Sequence, residues 1–228
     1  MAVGVLALQG SFNEHIAALR RIGVKGVEIR KAEQLENVTS LIIPGGESTT
    51  MAKLADLHNL FPALREFVKM GKPVWGTCAG LIFLANKATG QKEGGQELIQ
   101  SFEAEIPVPD LAATEGGPPS FRAVFIRAPA ILEVGPDVEV LASISIQSSQ
   151  EEIAESEGKV IVAVKQGNLL ATAFHPELTI DSRWHSYFMK MLPANNEIVS
   201  IASSSNLFEN QESYLYNKQP KTDLPIYQ

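Results

Sequence analysis

The chemistry that this sequence could perform starts at Cys78, the one cysteine in 228 residues. It is the centre of the pentapeptide Gly76-Thr77-Cys78-Ala79-Gly80, which lies between two short apolar runs. Glycines on both sides of a reactive residue are typical of a sharp strand-to-helix turn, because they let neighbouring chain pass close by. The N-terminus of the following helix would stabilise a thiolate at this position. The alternative interpretation is a buried structural cysteine.

A candidate base lies late in the chain, in His175-Pro176-Glu177, directly after a second apolar run. Pro176 keeps His175 extended, and residues two apart in an extended chain point the same way, so we expect Glu177 beside the imidazole. A carboxylate in that place would hold the ring tautomer and raise its basicity, as the third member of a catalytic triad does. A merely polar strand end is the alternative.

A glycine loop is the third candidate element, in Pro44-Gly45-Gly46-Glu47-Ser48. Two glycines at the carboxyl end of an apolar run leave backbone N–H groups exposed, and Ser48 or Thr49 could cap the next helix. No Gly-Lys-Ser or Gly-Lys-Thr follows, so the loop is not a P-loop. It could equally be a plain strand-to-helix turn.

Together these elements predict acyl transfer through a thioester. Cys78 would attack a carbonyl, His175 would move the proton, and Glu177 would orient the ring. The N–H of Ala79 and one from Gly45 or Gly46 would stabilise the oxyanion. The sequence has no metal-ligand spacing, so we expect neither a metal nor another cofactor. His58 and His185 have no motif around them and are predicted to be surface residues.

The elements that must position these residues alternate in type. Predicted strands over residues 3–8, 27–30, 41–43 and 74–77 alternate with helical patterns, and the helix after Cys78 is expected to run to about residue 87. Ser11 and Glu14 have the spacing of a capping box. This order predicts an α/β fold with a mainly parallel sheet. Ligands of such sheets bind at the carboxyl ends of the strands, where Gln9, Gly45 and Cys78 would share one cleft.

Composition limits the classes of partner and compartment. The net charge of −7 argues against nucleic acid or an anionic membrane as the main partner. A single cysteine suits a reducing compartment, and the first residues carry no leader pattern, so we expect a cytoplasmic protein. We predict one domain over residues 1–193 and a polar, disordered tail over 194–228.

The motifs also resemble a known family, the PdxT/SNO glutaminase subunits of pyridoxal 5′-phosphate synthase, which are class I triad glutamine amidotransferases. The resemblance covers residues 3–192, and the tail is similar to that of plant members. It rests on these segments: Leu8-Gln9-Gly10 with Glu14-His15, Pro44 to Met51, Gly76 to Leu81, Val124 to Pro129, and Phe174 to Leu178.

The resemblance implies a flavodoxin-like three-layer α/β/α sandwich that hydrolyses L-glutamine to glutamate and ammonia. It implies substrate contacts at Gly46-Glu47-Ser48 and at Ile126-Arg127. It also implies a partner, the (β/α)8-barrel synthase subunit, which receives the ammonia and without which members are nearly inactive. Gln9, Glu14 and His15 match positions near the surface where that partner docks.

The sequence departs from the family pattern in its centre. Leu98-Ile99-Gln100 runs straight into Ser101-Phe102-Glu103, where the family has a further strand and an Arg-Asn-x-Phe-Gly stretch. The missing arginine is expected to contact the substrate carboxylate. Two other hypotheses therefore stay open: a catalytically impaired partner that binds the synthase subunit, and another cysteine hydrolase such as a γ-glutamyl hydrolase.

Overall fold

The computed structural model describes residues 2–87, 101–146 and 158–192. Seven of the described strands form one sheet. In chain order they are β1 (Val3–Leu6), β2 (Gly26–Ile29), β3 (Ser40–Ile43), β4 (Val74–Thr77), β7 (Glu139–Ile146), β8 (Gly158–Gln166) and β9 (Leu169–Thr172). The other two, β5 (Phe102–Pro107) and β6 (Ser120–Phe125), pair with each other.

The strand order in the sheet is β2-β1-β3-β4-β9-β8-β7. Neighbours from β2 to β9 are parallel, and β8 and β7 add an antiparallel edge. The turn Gln166-Gly167-Asn168 joins β8 to β9, with Gly167 at φ 55°, a left-handed conformation that hairpin turns require. The expected mainly parallel α/β sheet is confirmed, and its five parallel strands have the flavodoxin-like order.

The helices that accompany the sheet are of two kinds, α and 3₁₀. The α-helices are α1 (Phe12–Arg21), α2 (Ser48–Leu57), α3 (Leu60–Lys69), α4 (Ala79–Leu84), α5 (Pro109–Glu115) and α6 (Arg183–Lys190). In the described part of the chain, two 3₁₀ helices span Ala32–Asn37 and Pro176–Leu178.

Alternate residues of the parallel strands belong to two separate apolar cores, one on each face of the sheet. On one face Ile42 and Trp75 pack with residues of α1, α5 and α6. On the other face Leu41 and Val74 pack with residues of α2 and α3. Because side chains of a strand alternate between faces, strands buried on both sides must be apolar throughout. The result is the three-layer sandwich that the family resemblance implies.

Several element bounds differ from the expectation. Strand β1 ends at Leu6, before residue 8, and α4 ends at Leu84, before residue 87. The helical stretch after the glycine loop is two helices, because Asn59 between them has a left-handed backbone with φ 50°. The predicted deletion next to residue 100 and the predicted tail over 194–228 lie outside the described residues, and the domain division stays a prediction.

Candidate active site

Cys78 occupies the sharp turn that its glycines predict. It follows β4 and precedes α4, with φ 49° and ψ −108°, a conformation that is strained for a residue with a side chain. A Cβ on Gly76 would overlap the backbone of Gly80, and a Cβ on Gly80 would overlap the carbonyl of Ile43. Only glycine fits at either place, so the pentapeptide is required by the close approach of three backbone segments.

His175 follows β9 at the same edge of the sheet, and its backbone N–H donates to the backbone carbonyl of Val124 at 2.8 Å. Its ring lies against Gly45, where an added Cβ would run into the imidazole and come within 3.2 Å of Cys78 Cβ. Burial opposes protonation of this ring, but hydrogen bonds with Cys78 and Glu177 raise the pKa of His175 to about 10. The cysteine, the imidazole and the glycine loop therefore meet at one point.

Glu177 completes this chain of contacts. Its Oε1 lies 2.8 Å from Nδ1 of His175, and the hydroxyl of Ser11 donates to the same oxygen at 2.6 Å. Burial alone would raise the pKa of Glu177, but the nearby His15 and hydrogen bonds from His175 and Ser11 lower it to about 2. Because His15 is itself neutral at pH 7, as described below, the protonated His175 ring and Ser11 carry this effect there.

The backbone at Glu177 is not the extended segment expected from sequence. Pro176 begins a single 3₁₀ turn, Pro176–Leu178, that carries the carboxylate back to the ring. Ser11 likewise does not cap α1 through its side chain, and its hydroxyl is used by Glu177. The predicted pairing of His175 with Glu177 is present, but a tight turn makes it.

Two buried histidines stand behind Glu177. His15 and His185 have no exposed surface, and their rings are joined from Nδ1 of His15 to Nε2 of His185 at 3.0 Å. The prediction that His185 is a surface residue is wrong. The signal lay in its spacing, since His185, Phe188 and Met189 form one buried face of α6. His58 is exposed, as predicted.

The glycine loop presents unused backbone donors. No hydrogen bond within the described residues uses the N–H of Gly45 or Gly46, while the N–H of Glu47 donates to Oε1 of Gln9 at 2.8 Å. Ala79 is the first residue of α4, so its N–H has no acceptor within the helix. These are the donors expected of an oxyanion hole.

Ser48 or Thr49 was expected to cap α2, but neither residue does so. Glu47 is the N-cap, and its carboxylate accepts from the N–H groups of Thr49 and Thr50. Hydrogen bonds from Thr50 and then Thr49 lower the pKa of Glu47 to about 2. Ser48 is thereby left as the first helical residue beside the loop.

The segment Ile126-Arg127 approaches the site from the end of β6. The carbonyl of Ile126 lies 3.8 Å from the Cys78 sulfur. Arg127 is exposed and has a left-handed backbone with φ 45°, which is uncommon for a residue other than glycine. The structure therefore brings this predicted substrate segment to the cysteine.

The three predicted partner-contact residues fall in different environments. Glu14 is exposed and Gln9 is half-buried. His15 is completely buried, so its side chain has no surface to offer a partner. This corrects the expectation for His15, whose ring faces Glu177 because the apolar face of α1 turns toward the sheet.

The arrangement can perform nucleophilic acyl transfer. The imidazole is paired with a carboxylate, and it lies with the cysteine against one glycine loop whose backbone N–H groups are unused within the described residues. Cysteine-dependent hydrolysis needs this set of groups in one place. Within residues 2–87, 101–146 and 158–192 no group of three or more His, Cys, Asp or Glu side chains could hold a metal ion. In the same ranges no helix is both long and apolar enough to cross a membrane.

Comparison with known proteins points to the same kind of chemistry as the geometry of the site. The model of the SNO glutamine amidotransferase family matches residues 5–194. The chain is 64% identical over 255 aligned positions to the probable pyridoxal 5′-phosphate synthase subunit PDX2 of Arabidopsis thaliana, with 100% of each chain covered. It is 46% identical to the pyridoxal 5′-phosphate synthase subunit PdxT of Moorella thermoacetica, over 84% of this chain and 100% of the relative.

Solved structures are similar as well. A crystal structure of a glutamine amidotransferase superposes with a TM-score of 0.70 at 40% identity, covering 84% of this chain and 98% of the other. A structure of PurLQS from Thermotoga maritima superposes with a TM-score of 0.57 at 16% identity, over 83% of this chain and 97% of the other, which shows a shared fold.

Proposed function

The chain belongs to the SNO glutamine amidotransferase family, and from this premise we propose that it is the glutaminase subunit of a pyridoxal 5′-phosphate synthase. Its relatives are named as pyridoxal 5′-phosphate synthase subunits, its family is one of glutamine amidotransferases, and its site contains the groups that the reaction needs. The observation that carries the proposal is that His175 pairs with Glu177 at 2.8 Å while its ring lies against the same glycine, Gly45, as Cβ of Cys78.

The reaction begins with the Cys78 thiolate attacking the side-chain carboxamide of L-glutamine. A carbon–sulfur bond forms, and the negative charge on oxygen is stabilised by the N–H of Ala79 and by one from Gly45 or Gly46. The His175 imidazolium then gives its proton to the leaving nitrogen, ammonia departs, and a γ-glutamyl thioester remains.

Hydrolysis of the thioester uses the same groups in reverse. His175, now neutral, takes a proton from water as the oxygen attacks the carbonyl carbon. The carbon–sulfur bond breaks, glutamate leaves, and the thiolate and imidazolium are restored. Glu177 holds Nδ1–H of the ring throughout, so that Nε2 remains directed at the sulfur.

Substrate recognition is proposed for the two segments that flank the cysteine. Gly46, Glu47 and Ser48 line one side, and Ile126 with Arg127 lines the other. Arg127 is an exposed cation at the mouth of the site and suits the α-carboxylate of glutamine.

The proposed partner is a synthase subunit built as a (β/α)8 barrel, which takes up the ammonia. Gln9 and Glu14 lie near the surface that we expect to face it. A single cysteine suits a reducing compartment, and we propose that the complex acts in the cytoplasm.

A catalytically impaired binding subunit is the second candidate, and one observation favours it. The alignment with the Arabidopsis relative spans 255 positions but this chain has 228 residues, so at least 27 positions have no counterpart here. If they include the predicted arginine stretch, glutamine binding loses an anion contact. The γ-glutamyl hydrolase hypothesis has no counterpart among the relatives described above.

Glutamate release from L-glutamine in the presence of the synthase subunit tests the proposal. Wild type is compared with Cys78→Ala and with a chimaera that restores the missing positions from the Arabidopsis relative. Release by wild type that vanishes in Cys78→Ala supports a working glutaminase. Release by the chimaera alone identifies an impaired subunit, and release from polyglutamyl substrates without any partner would overturn both.

A further inference from the structure

The triad does not end at Glu177. Its second carboxylate oxygen, Oε2, receives no hydrogen bond among the described residues, and Nε2 of His15 lies 3.3 Å away. The same nitrogen is 3.1 Å from Oγ1 of Thr77, the residue before the nucleophile. Behind His15 stands His185, whose Nε2 is 3.0 Å from Nδ1 of His15. The polar contacts thus continue from His175 and Glu177 through two further imidazoles into the core.

The protons of this pair can be assigned from its neighbours. A carboxylate repels a bare nitrogen lone pair and attracts an N–H, so Nε2 of His15 carries the proton beside Glu177. Nδ1 of His15 is then an acceptor, and Nε2–H of His185 donates to it. Nδ1 of His185 is left without a proton and without a partner in the described chain, which costs less than an unpaired donor.

Burial keeps both rings neutral. Burial is the largest effect, and it lowers the pKa of His15. The negative charges of Glu177 and Glu14 act to raise this pKa, whereas the nearby His175 lowers it further. Burial also lowers the pKa of His185 well below its usual value, aided by His15 and Arg21 and opposed by Glu177. Trp75 packs edge-on to both rings, with centroids 5.6 Å from His15 and 4.9 Å from His185. Because the surrounding side chains are apolar and both rings are neutral, the pair acts as a fixed dipole.

We propose that His15 and His185 are positioning residues of the hydrolase site: a neutral imidazole pair that points one N–H at Glu177 and so keeps its other oxygen on His175. The inference deepens the proposed glutaminase function and rests on it for its kinetic consequences. The pair touches neither substrate nor sulfur. It acts through Glu177, because Ser11 and His175 contact one carboxylate oxygen while Nε2 of His15 lies 3.3 Å from the other.

Two substitutions at position 15 test the roles of the two ring nitrogens separately. In His15→Gln the amide nitrogen can reach the place of Nε2, so the donor toward Glu177 is kept. In His15→Asn the shorter amide reaches only the place of Nδ1, so that donor is lost. His58→Gln, at an exposed histidine, is the matched control.

Kinetics with the synthase subunit present should distinguish the two. We expect His15→Asn to lose about tenfold or more in kcat, the factor that corresponds to a hydrogen bond to a charged group, with KM for glutamine nearly unchanged. The acid limb of its kcat/KM profile should move to higher pH, because Glu177 takes up a proton more readily. His15→Gln should retain most of the rate and the wild-type profile. Equal loss in both variants, or an unchanged kcat and profile in folded His15→Asn, would overturn the proposal.

A second test uses only the wild-type chain, so it depends neither on enzymatic activity nor on whether a variant folds. With ¹⁵N-labelled histidine the four imidazoles can be followed by NMR between about pH 5.5 and 8.5, the range in which an ordinary histidine titrates. We expect His15 and His185 to stay neutral with the proton on Nε2. A charged His15 at neutral pH, or a proton on its Nδ1, would overturn the proposal. If wild type releases no glutamate, the proposed function fails while this result remains readable.

Discussion

Nδ1 of His175 and Oε1 of Glu177 lie 2.8 Å apart, with one proline between the two residues in the chain. The contact exists because Pro176 begins a 3₁₀ turn that folds Glu177 back on the ring. The carboxylate side chain is completely buried and also accepts a hydrogen bond from Ser11, so its orientation is fixed before substrate arrives. This pair makes the imidazole a directed acid and base.

Replacing Glu177 by glutamine keeps the shape but removes the charge. The amide can offer its N–H to Nδ1, which selects the wrong tautomer, so we expect Glu177→Gln to lower kcat by roughly 10³- to 10⁴-fold. Glutamate release with the synthase subunit measures the effect. Glu133→Gln, at an exposed carboxylate, should leave the rate unchanged. A loss of less than tenfold in Glu177→Gln would contradict the role assigned to the carboxylate.

The stability of the fold should depend on pH through His175. The pKa of His175 in the folded chain is raised to about 10 from its usual 6.5, so its protonated form stabilises the native state fully below about 6.5. That contribution is lost as pH rises toward 10. We therefore expect the stability advantage of wild type over His175→Gln, from urea unfolding, to shrink between these values. A constant difference across the range would contradict the raised pKa.

Cys78 is one cause of that raised pKa. Burial opposes it, and the hydrogen bond with Cys78 is the first of the interactions that overcome burial. In Cys78→Ala we expect the pKa of His175 to fall, which ¹⁵N-histidine NMR would register as a titration at lower pH. The exposed His58 supplies an internal control in the same spectra, and a His175 titration identical in both proteins would show that sulfur and ring do not interact.

The turn at Cys78 should tolerate no side chain at Gly80. An alanine Cβ there would overlap the carbonyl of Ile43, whereas a Cβ on Gly135 would meet nothing within 4 Å. We expect Gly80→Ala to lower the free energy of unfolding by at least the ~1–3 kcal/mol of an overpacked core. Gly135→Ala should change it little. Equal unfolding midpoints in urea would show that α4 can move away from β3.

Much of the site could be predicted from the sequence because its parts are local. Glycines around a single cysteine indicate a turn with close backbone contacts, and an apolar run followed by His-Pro-Glu indicates a strand end with a paired imidazole. The alternation of apolar runs and helical patterns was enough for the parallel sheet, because each strand is buried on both faces.

What could not be predicted depends on contacts between distant segments. His15 and His185 are 170 positions apart, and nothing near either one shows that their rings meet behind Glu177. The hydroxyl of Ser11 looked like a helix cap, because a capping box has the same spacing whether or not a buried carboxylate competes for it. Glu47 was missed as the cap of α2 because Ser48 and Thr49 are more usual in that place.

The central claim is that Cys78 forms a γ-glutamyl thioester, and mass spectrometry of acid-quenched protein tests it most directly. Wild type and Cys78→Ala are each mixed with L-glutamine and the synthase subunit, quenched during turnover and digested. We predict a glutamyl adduct on the peptide that contains Cys78 in wild type and none in Cys78→Ala, which also releases no glutamate. Undiminished glutamate release by Cys78→Ala, or turnover by wild type with an adduct on a different residue, would contradict the account.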